Sequence, residues 1–107
     1  MEKWKSIVID GVTSIDKVVA KFNIWSINKL PFPKFKVKIR EEKSGVLFGS
    51  TNVAVKSDID GEPDWISGHG RIIAEALEDT IISFFSTLDG FTDLVEEDFV
   101  WADIHDF

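Results

Sequence analysis

The residues best placed to do chemistry are few. Two histidines are present, His69 and His105, and there is no cysteine. Cysteine nucleophiles are therefore excluded. No Gly-x-Ser-x-Gly elbow supports a serine nucleophile. Carboxylates are plentiful, but nothing in their spacing sets two of them across a cleft, as acid and base catalysis on a glycoside would need. The sequence therefore predicts a protein without catalytic activity. An enzyme or small-ligand protein built on His69 stands as one alternative.

Two short patterns touch on ligand chemistry. Asp58-Ile59-Asp60-Gly61-Glu62-Pro63-Asp64 resembles the front of a calcium loop. Such a loop needs glycine at its sixth position and a bidentate glutamate at its twelfth. Here Gly61 is fourth and His69 is twelfth, so a polar turn is expected, with no metal and no cofactor. Gly68-His69-Gly70 stands before a helical pattern, where free N–H groups could receive an anion. The longer glycine frame and the lysine of a phosphate loop are missing, so the two glycines are expected to serve a tight strand-to-helix turn.

Charge says more. Residues 1–43 carry ten Lys/Arg against five Asp/Glu, a balance of +5, and residues 44–107 carry two against fourteen, a balance of −12. The net charge of −7 thus arises entirely in the second part of the chain. An asymmetry of this size points to an electrostatic interaction surface. The expected partner-binding residues are Asp58, Asp60, Glu62, Asp64 and Trp65 in one loop, with Asp93, Glu96, Glu97, Asp98 and Asp103 in the tail. Trp65 is a candidate anchor, and Trp101 is expected in the core. The one basic stripe is Lys34, Lys36, Lys38 and Arg40. It supports an alternative as a nucleic-acid-binding module, which the net charge opposes. It could also be a solvated strand face, or attract the acidic tail.

The elements that must position these residues follow from periodicity. With 107 residues, 44% hydrophobic and rich in Phe and Trp, the chain is long enough for one domain with a core. Residues 5–9 read as a short strand. Thr13 or Ser14 could cap a helix in which Ile15, Val18, Val19 and Phe22 recur at helical spacing, ended by Pro31 and Pro33. Phe35 to Arg40 alternates strictly and predicts a strand, paired in a hairpin with a second strand over 46–56. Trp65-Ile66-Ser67 predicts a third. Ile72, Ile73, Ala76, Leu77, Thr80, Ile81, Phe84, Phe85 and Leu88 form one continuous face and predict a helix over 71–88, with Gly90 just past its end. Phe99 to Ala102 predicts a last strand. The expected fold is α+β: a single antiparallel-rich sheet with two helices on one face, in the order β-α-β-β-β-α-β. A strand at Lys36–Arg40 or Phe99–Ala102 could pair between chains, giving a homo-oligomer.

Two family resemblances attach to this pattern. The α-β-β-β-α order over 13–88, with Gly68-His69-Gly70 before a helix holding Ala74 and Ala76, resembles a double-stranded-RNA-binding domain. Ile72 and Ile73 stand where that family places its basic cluster, so the resemblance implies architecture and not RNA binding. Gly70 followed by Glu75-Ala76-Leu77 is similar to the spacing of HicB-type antitoxins, with Ile72 in place of their usual threonine. That resemblance implies a small domain that masks a toxin. Nuclease toxins carry basic clefts, and an acidic protein can occupy them. The expected function is therefore an immunity, antitoxin or phage-type inhibitor of a basic, nuclease-like partner protein. The first residues reach Asp10 after only three apolar positions, and no apolar run approaches the ~20 residues of a membrane span. A cytoplasmic location without a membrane partner is expected.

Overall fold

The computed structural model describes residues 2–107. It is α+β, with a four-stranded antiparallel sheet, a smaller two-stranded sheet and one α-helix. The strands are β1 (Lys17–Trp25), β2 (Lys34–Glu41), β3 (Leu47–Thr51), β4 (Val53–Val55), β5 (Ser67–Gly70) and β6 (Phe99–Trp101), and the helix α1 (Ile73–Ser86) lies between β5 and β6. The main sheet runs β1-β2-β3-β5, and β4 pairs with β6.

Several sequence expectations are corrected. The segment expected as a first helix is β1. Its β-branched Val18, Val19 and Ile24, with Phe22 and Trp25, suit a pleated surface better than a helix. Its pairing with β2, Phe22 against Val37 and Ile24 against Phe35, completes an apolar face that an isolated helix could not. Among the described residues there is therefore one α-helix, not two, and the α-β-β-β-α order expected over 13–88 does not form. The second correction is at residues 5–9. Lys3–Ser6 forms a 3-10 turn, Ile7–Ile9 pairs with no strand, and Val8 is 90% exposed.

The single strand expected over 46–56 breaks at Asn52, so the fold has two sheets where one was expected. The Asn52 N–H donates to the Lys36 carbonyl at 3.0 Å, and its side-chain oxygen accepts from the Lys36 N–H at 2.8 Å. The Asn52 carbonyl then accepts from Ala102 N–H at 2.8 Å. One residue thus satisfies partners in both sheets and turns the chain from one to the other. β2 has a neighbour on each side, so Lys36–Arg40 offers no free edge between chains.

The core lies between the main sheet and α1 and continues into the small sheet. Phe35, Val37, Ile39, Val53, Val55, Ala76 and Phe84 are fully enclosed. The Phe35 and Phe84 rings meet at 4.9 Å, and Phe32 meets Phe99 edge-on at 5.0 Å. Helix and sheet approach closely because Gly49 and Gly68 face Thr80, and Gly70 faces Ala76 and Glu75. A Cβ at Gly68 would collide with the Thr80 backbone. This close approach, and not a turn, is what Gly68 and Gly70 serve. Among the described residues no helix is long and apolar enough to cross a membrane.

Candidate acidic binding surface

The run Val53-Ala54-Val55 is wholly apolar and buried, so β4 must be covered on both faces. It pairs with β6 through Val53–Trp101, Ala54–Val100 and Val55–Phe99. That register decides where the acids go. At the Val55 end, the Val55 carbonyl accepts from Asp64 N–H at 2.8 Å, and the next N–H, of Lys56, donates to the Asp98 carbonyl at 2.8 Å. One peptide unit is thus held from both sides by the two acidic segments.

Each segment is locally fixed. In the loop, Ser57 N–H bonds the Glu62 carbonyl at 2.7 Å and Gly61 N–H bonds the Ser57 carbonyl at 3.0 Å. Gly61 takes a positive φ of 75°. The Asp60 carboxylate accepts from Glu62 N–H at 3.0 Å, as an Asx turn does. In the tail, a 3-10 turn at Glu96–Asp98 is closed by the Asp98 carboxylate on Val95 N–H at 2.9 Å. Asp58, Asp60, Glu62, Asp64, Glu96 and Glu97 are exposed, and Asp98 is half-buried. Among the described residues none of them is ion-paired.

Apolar side chains stand among these carboxylates. Trp65 is 45% exposed, Val95 50%, and Ile59, at the loop tip between Asp58 and Asp60, 91%. Sequence reasoning overlooked Ile59 and Val95. The available signal was an isoleucine inside a polar turn, where nothing local could bury it. Asp93 has a positive φ of 56° and borders a groove of about 370 Å³ that also takes in Lys29, Phe85 and Asp89. Asp103 lies elsewhere. It follows Trp101, at the Val53 end of the ladder, and its carboxylate accepts from His105 N–H at 2.8 Å. Trp101 was expected in the core; it rests on Phe32 at 4.8 Å yet stays 46% exposed.

The basic stripe occupies the face of the main sheet opposite α1. Lys38 stands against Lys21 and Ser50, Arg40 against Val18 and Phe48, and Lys34 against Trp25. The Lys34 ammonium lies 5.3 Å from the centre of the Trp25 ring. The C-terminal residues reach this face through neutral groups. Lys38 Nζ donates to the Asp106 carbonyl at 2.8 Å and sits 4.8 Å over the Phe107 ring. Burial, then repulsion from Lys21 and Arg40, holds the Lys38 pKa below the usual lysine value.

His69 projects from β5 on this same face, with its side chain largely exposed and Nδ1 3.7 Å from Asp79 Oδ2. Its backbone N–H donates to Asp79 Oδ2 at 2.9 Å, and Arg71 N–H donates to Glu75 Oε1 at 3.0 Å. Two donors ahead of the helix, the N–H groups of His69 and Arg71, are therefore occupied by the helix's own carboxylates. Among the described residues no three His, Asp or Glu side chains gather as a metal site. Comparison with models of known families, with curated proteins and with solved structures finds no match to this chain.

Proposed function

We propose that this protein binds and masks a basic partner protein, as an immunity protein, antitoxin or phage-type inhibitor does. One observation carries the reading. The loop 58–64 and the turn 96–98 meet across a single peptide unit, their carboxylates are not ion-paired among the described residues, and exposed Ile59, Trp65 and Val95 lie in or beside the same two segments. Unpaired surface acids steer a basic partner and speed encounter, while exposed apolar side chains within them supply contacts that persist after docking. A nuclease-like protein with a basic substrate cleft is the partner class that fits. The HicB-type spacing around Glu75-Ala76-Leu77 belongs with the same class of function. Asp93 and Asp103 are peripheral to this surface, and the reading rests on the other acids.

The test is affinity capture with the intact chain from cells that produce it, followed by mass spectrometry. A basic protein retained at low salt and weakened at 0.5 M salt is expected. Capture of that protein by a variant with Asp58, Glu62, Glu96 and Glu97 changed to Lys, at undiminished strength, would refute the assignment. A second reading rests on the cationic sheet face, where Trp25 lies beside Lys34, and Phe48 stands between Arg40 and His69, as aromatic platforms for single-stranded nucleic acid do. Absence of an electrophoretic shift at low salt would remove it.

A further inference from the structure

The two edges of the main sheet are not equivalent. At the β5 edge, the N–H groups of His69 and Arg71 are taken by the Asp79 and Glu75 carboxylates of α1. Those side chains occupy the donors that an incoming strand would need. At the other edge lies β1, the longest strand, of nine residues.

The hydrogen-bond pattern fixes which groups β1 leaves open. Ser26 N–H donates to the Pro33 carbonyl at 3.0 Å, and on the far side of β2 the Lys36 carbonyl accepts from Asn52 N–H at 3.0 Å. Successive residues of a strand direct their backbone groups to opposite sides. Phe22 and Ile24 therefore bond to Val37 and Phe35 of β2, whereas Lys21, Asn23 and Trp25 direct N–H and C=O outwards. Among the described residues no other segment pairs with them. The irregularity between Val18 and Ala20 bounds the regular run, so Ala20–Trp25 is the part that can accept a strand. Lys21 is its one charge. Its underside, Ala20, Phe22 and Ile24, is apolar and half-buried, because α1 lies mainly over β5, β3 and β2.

We propose that β1 pairs antiparallel with β1 of a second copy of this chain, about a two-fold axis at Phe22. Two four-stranded sheets then join into one. Only registers that bring outward-facing residues together satisfy the hydrogen bonds, so the axis falls at Lys21, Phe22 or Asn23. At Lys21 it would set two ammonium groups opposite each other. At Asn23 it would set Ala20 against the polar Ser26. At Phe22 it sets Lys21 against Asn23, Ala20 against Ile24, and Phe22 against its equivalent. The apolar underside then runs unbroken across both copies. The apolar underside of Ala20, Phe22 and Ile24 is palindromic about Phe22 and no like charges are opposed, and this self-complementarity selects a second copy as the occupant. The inference is independent of the acidic surface, which belongs to the other sheet.

Light scattering on the full chain over a range of concentrations tests it. The expected result is a rise from 12.1 kDa to twice that mass as concentration increases. Asn23→Glu places a carboxylate opposite Lys21 twice per dimer and should tighten it roughly two- to thirty-fold, and Asn23→Lys should loosen it by a similar factor. Asn23→Pro deletes an outward N–H while leaving the β1–β2 bonds intact, and should give a monomer with unchanged circular dichroism. If Asn23→Pro fails to fold, the Glu and Lys variants still decide, since the Asn23 side chain is exposed. A 12.1 kDa mass at every concentration overturns the proposal. So does a dimer whose dissociation constant is the same in Asn23→Glu and Asn23→Lys.

Discussion

Carboxylates at the start of the chain and carboxylates at the Val55 end of the small sheet are the same chemical groups in opposite circumstances. Glu41 meets Lys5 at 2.6 Å, Glu2 meets Lys17 at 3.0 Å and Asp16 meets Arg40 at 3.5 Å. These pairs tie the N-terminal arm and the ends of β1 and β2 together. Asp58, Asp60, Glu62, Glu96 and Glu97 have no such partner among the described residues. Each acid of the first kind has its field largely cancelled by an adjacent cation. Those of the second kind project theirs into solvent, over about 8 Å at physiological salt. Acidity on this molecule is therefore of two sorts, one that fastens the fold and one that remains available to another molecule.

The sharpest way to break this distinction is to reverse the unpaired acids together. Changing Asp58, Glu62, Glu96 and Glu97 to Lys should slow association with a captured basic partner by about 100-fold at low salt, seen by stopped-flow or surface binding. The melting temperature should hold or rise, because like charges are removed. A large loss of stability would place these acids with the fastening kind. Next in size is Ile59→Ala, or Trp65→Ala, each expected to weaken binding by about 2 kcal/mol through lost contact. Ile59→Ala should leave urea unfolding unchanged, since the side chain is exposed in the free protein. Smaller again is Glu41→Gln, which should lower stability by about 0.5 kcal/mol, discounted for solvent screening of a partly exposed pair, and leave partner binding untouched.

The smallest effects are on pH dependence, and their signs differ. Hydrogen bonds from the Trp4 indole and then Lys17 hold the Glu2 pKa below the usual carboxylate value. The folded chain thus keeps Glu2 ionised where the unfolded chain would protonate it. Its contribution is present above the usual carboxylate value and is lost as pH falls through the lowered one. Lys38 runs the other way. Its lowered pKa means that the folded chain releases this proton before the unfolded chain does. Stability therefore rises as pH climbs from that lowered value to the ordinary lysine value. Chemical-denaturant curves for Glu2→Gln and Lys38→Met against the parent, at acid and alkaline pH respectively, should show these slopes removed.

Much of the fold is legible where local pattern and tertiary environment agree. The strict alternation of Phe35 to Arg40 meets a helix on one side and solvent on the other, as such alternation requires. The helical face ending at Phe85 and Leu88 packs on the sheet, although the α-helix stops at Ser86 and tighter turns carry the chain on to Gly90. β1 is illegible because Val18, Val19 and Phe22 fall at helical spacing, while the irregularity between Val18 and Ala20 breaks the alternation that pairing with β2 imposes on the rest of the strand. The break at Asn52 depends on Lys36 and Ala102, far away in sequence. The acids of the candidate surface are legible as composition. Their meeting is not, because it depends on Val55 lying opposite Phe99. The same ladder, followed to its other end, carries Asp103 away.

The seat of Thr80 against Gly49 and Gly68 has a consequence for the rim of the sheet. It is a mechanical stop that sets the phase of the helix. Were α1 to slip by one residue, a neighbouring side chain would strike the strands, and Glu75 and Asp79 would leave the amides of Arg71 and His69. Those two amides lie at a boundary where exchange with solvent hydrogen is ordinarily fast. While the stop holds, they should exchange as slowly as amides of the interior, and Gly68→Ala should release both at once.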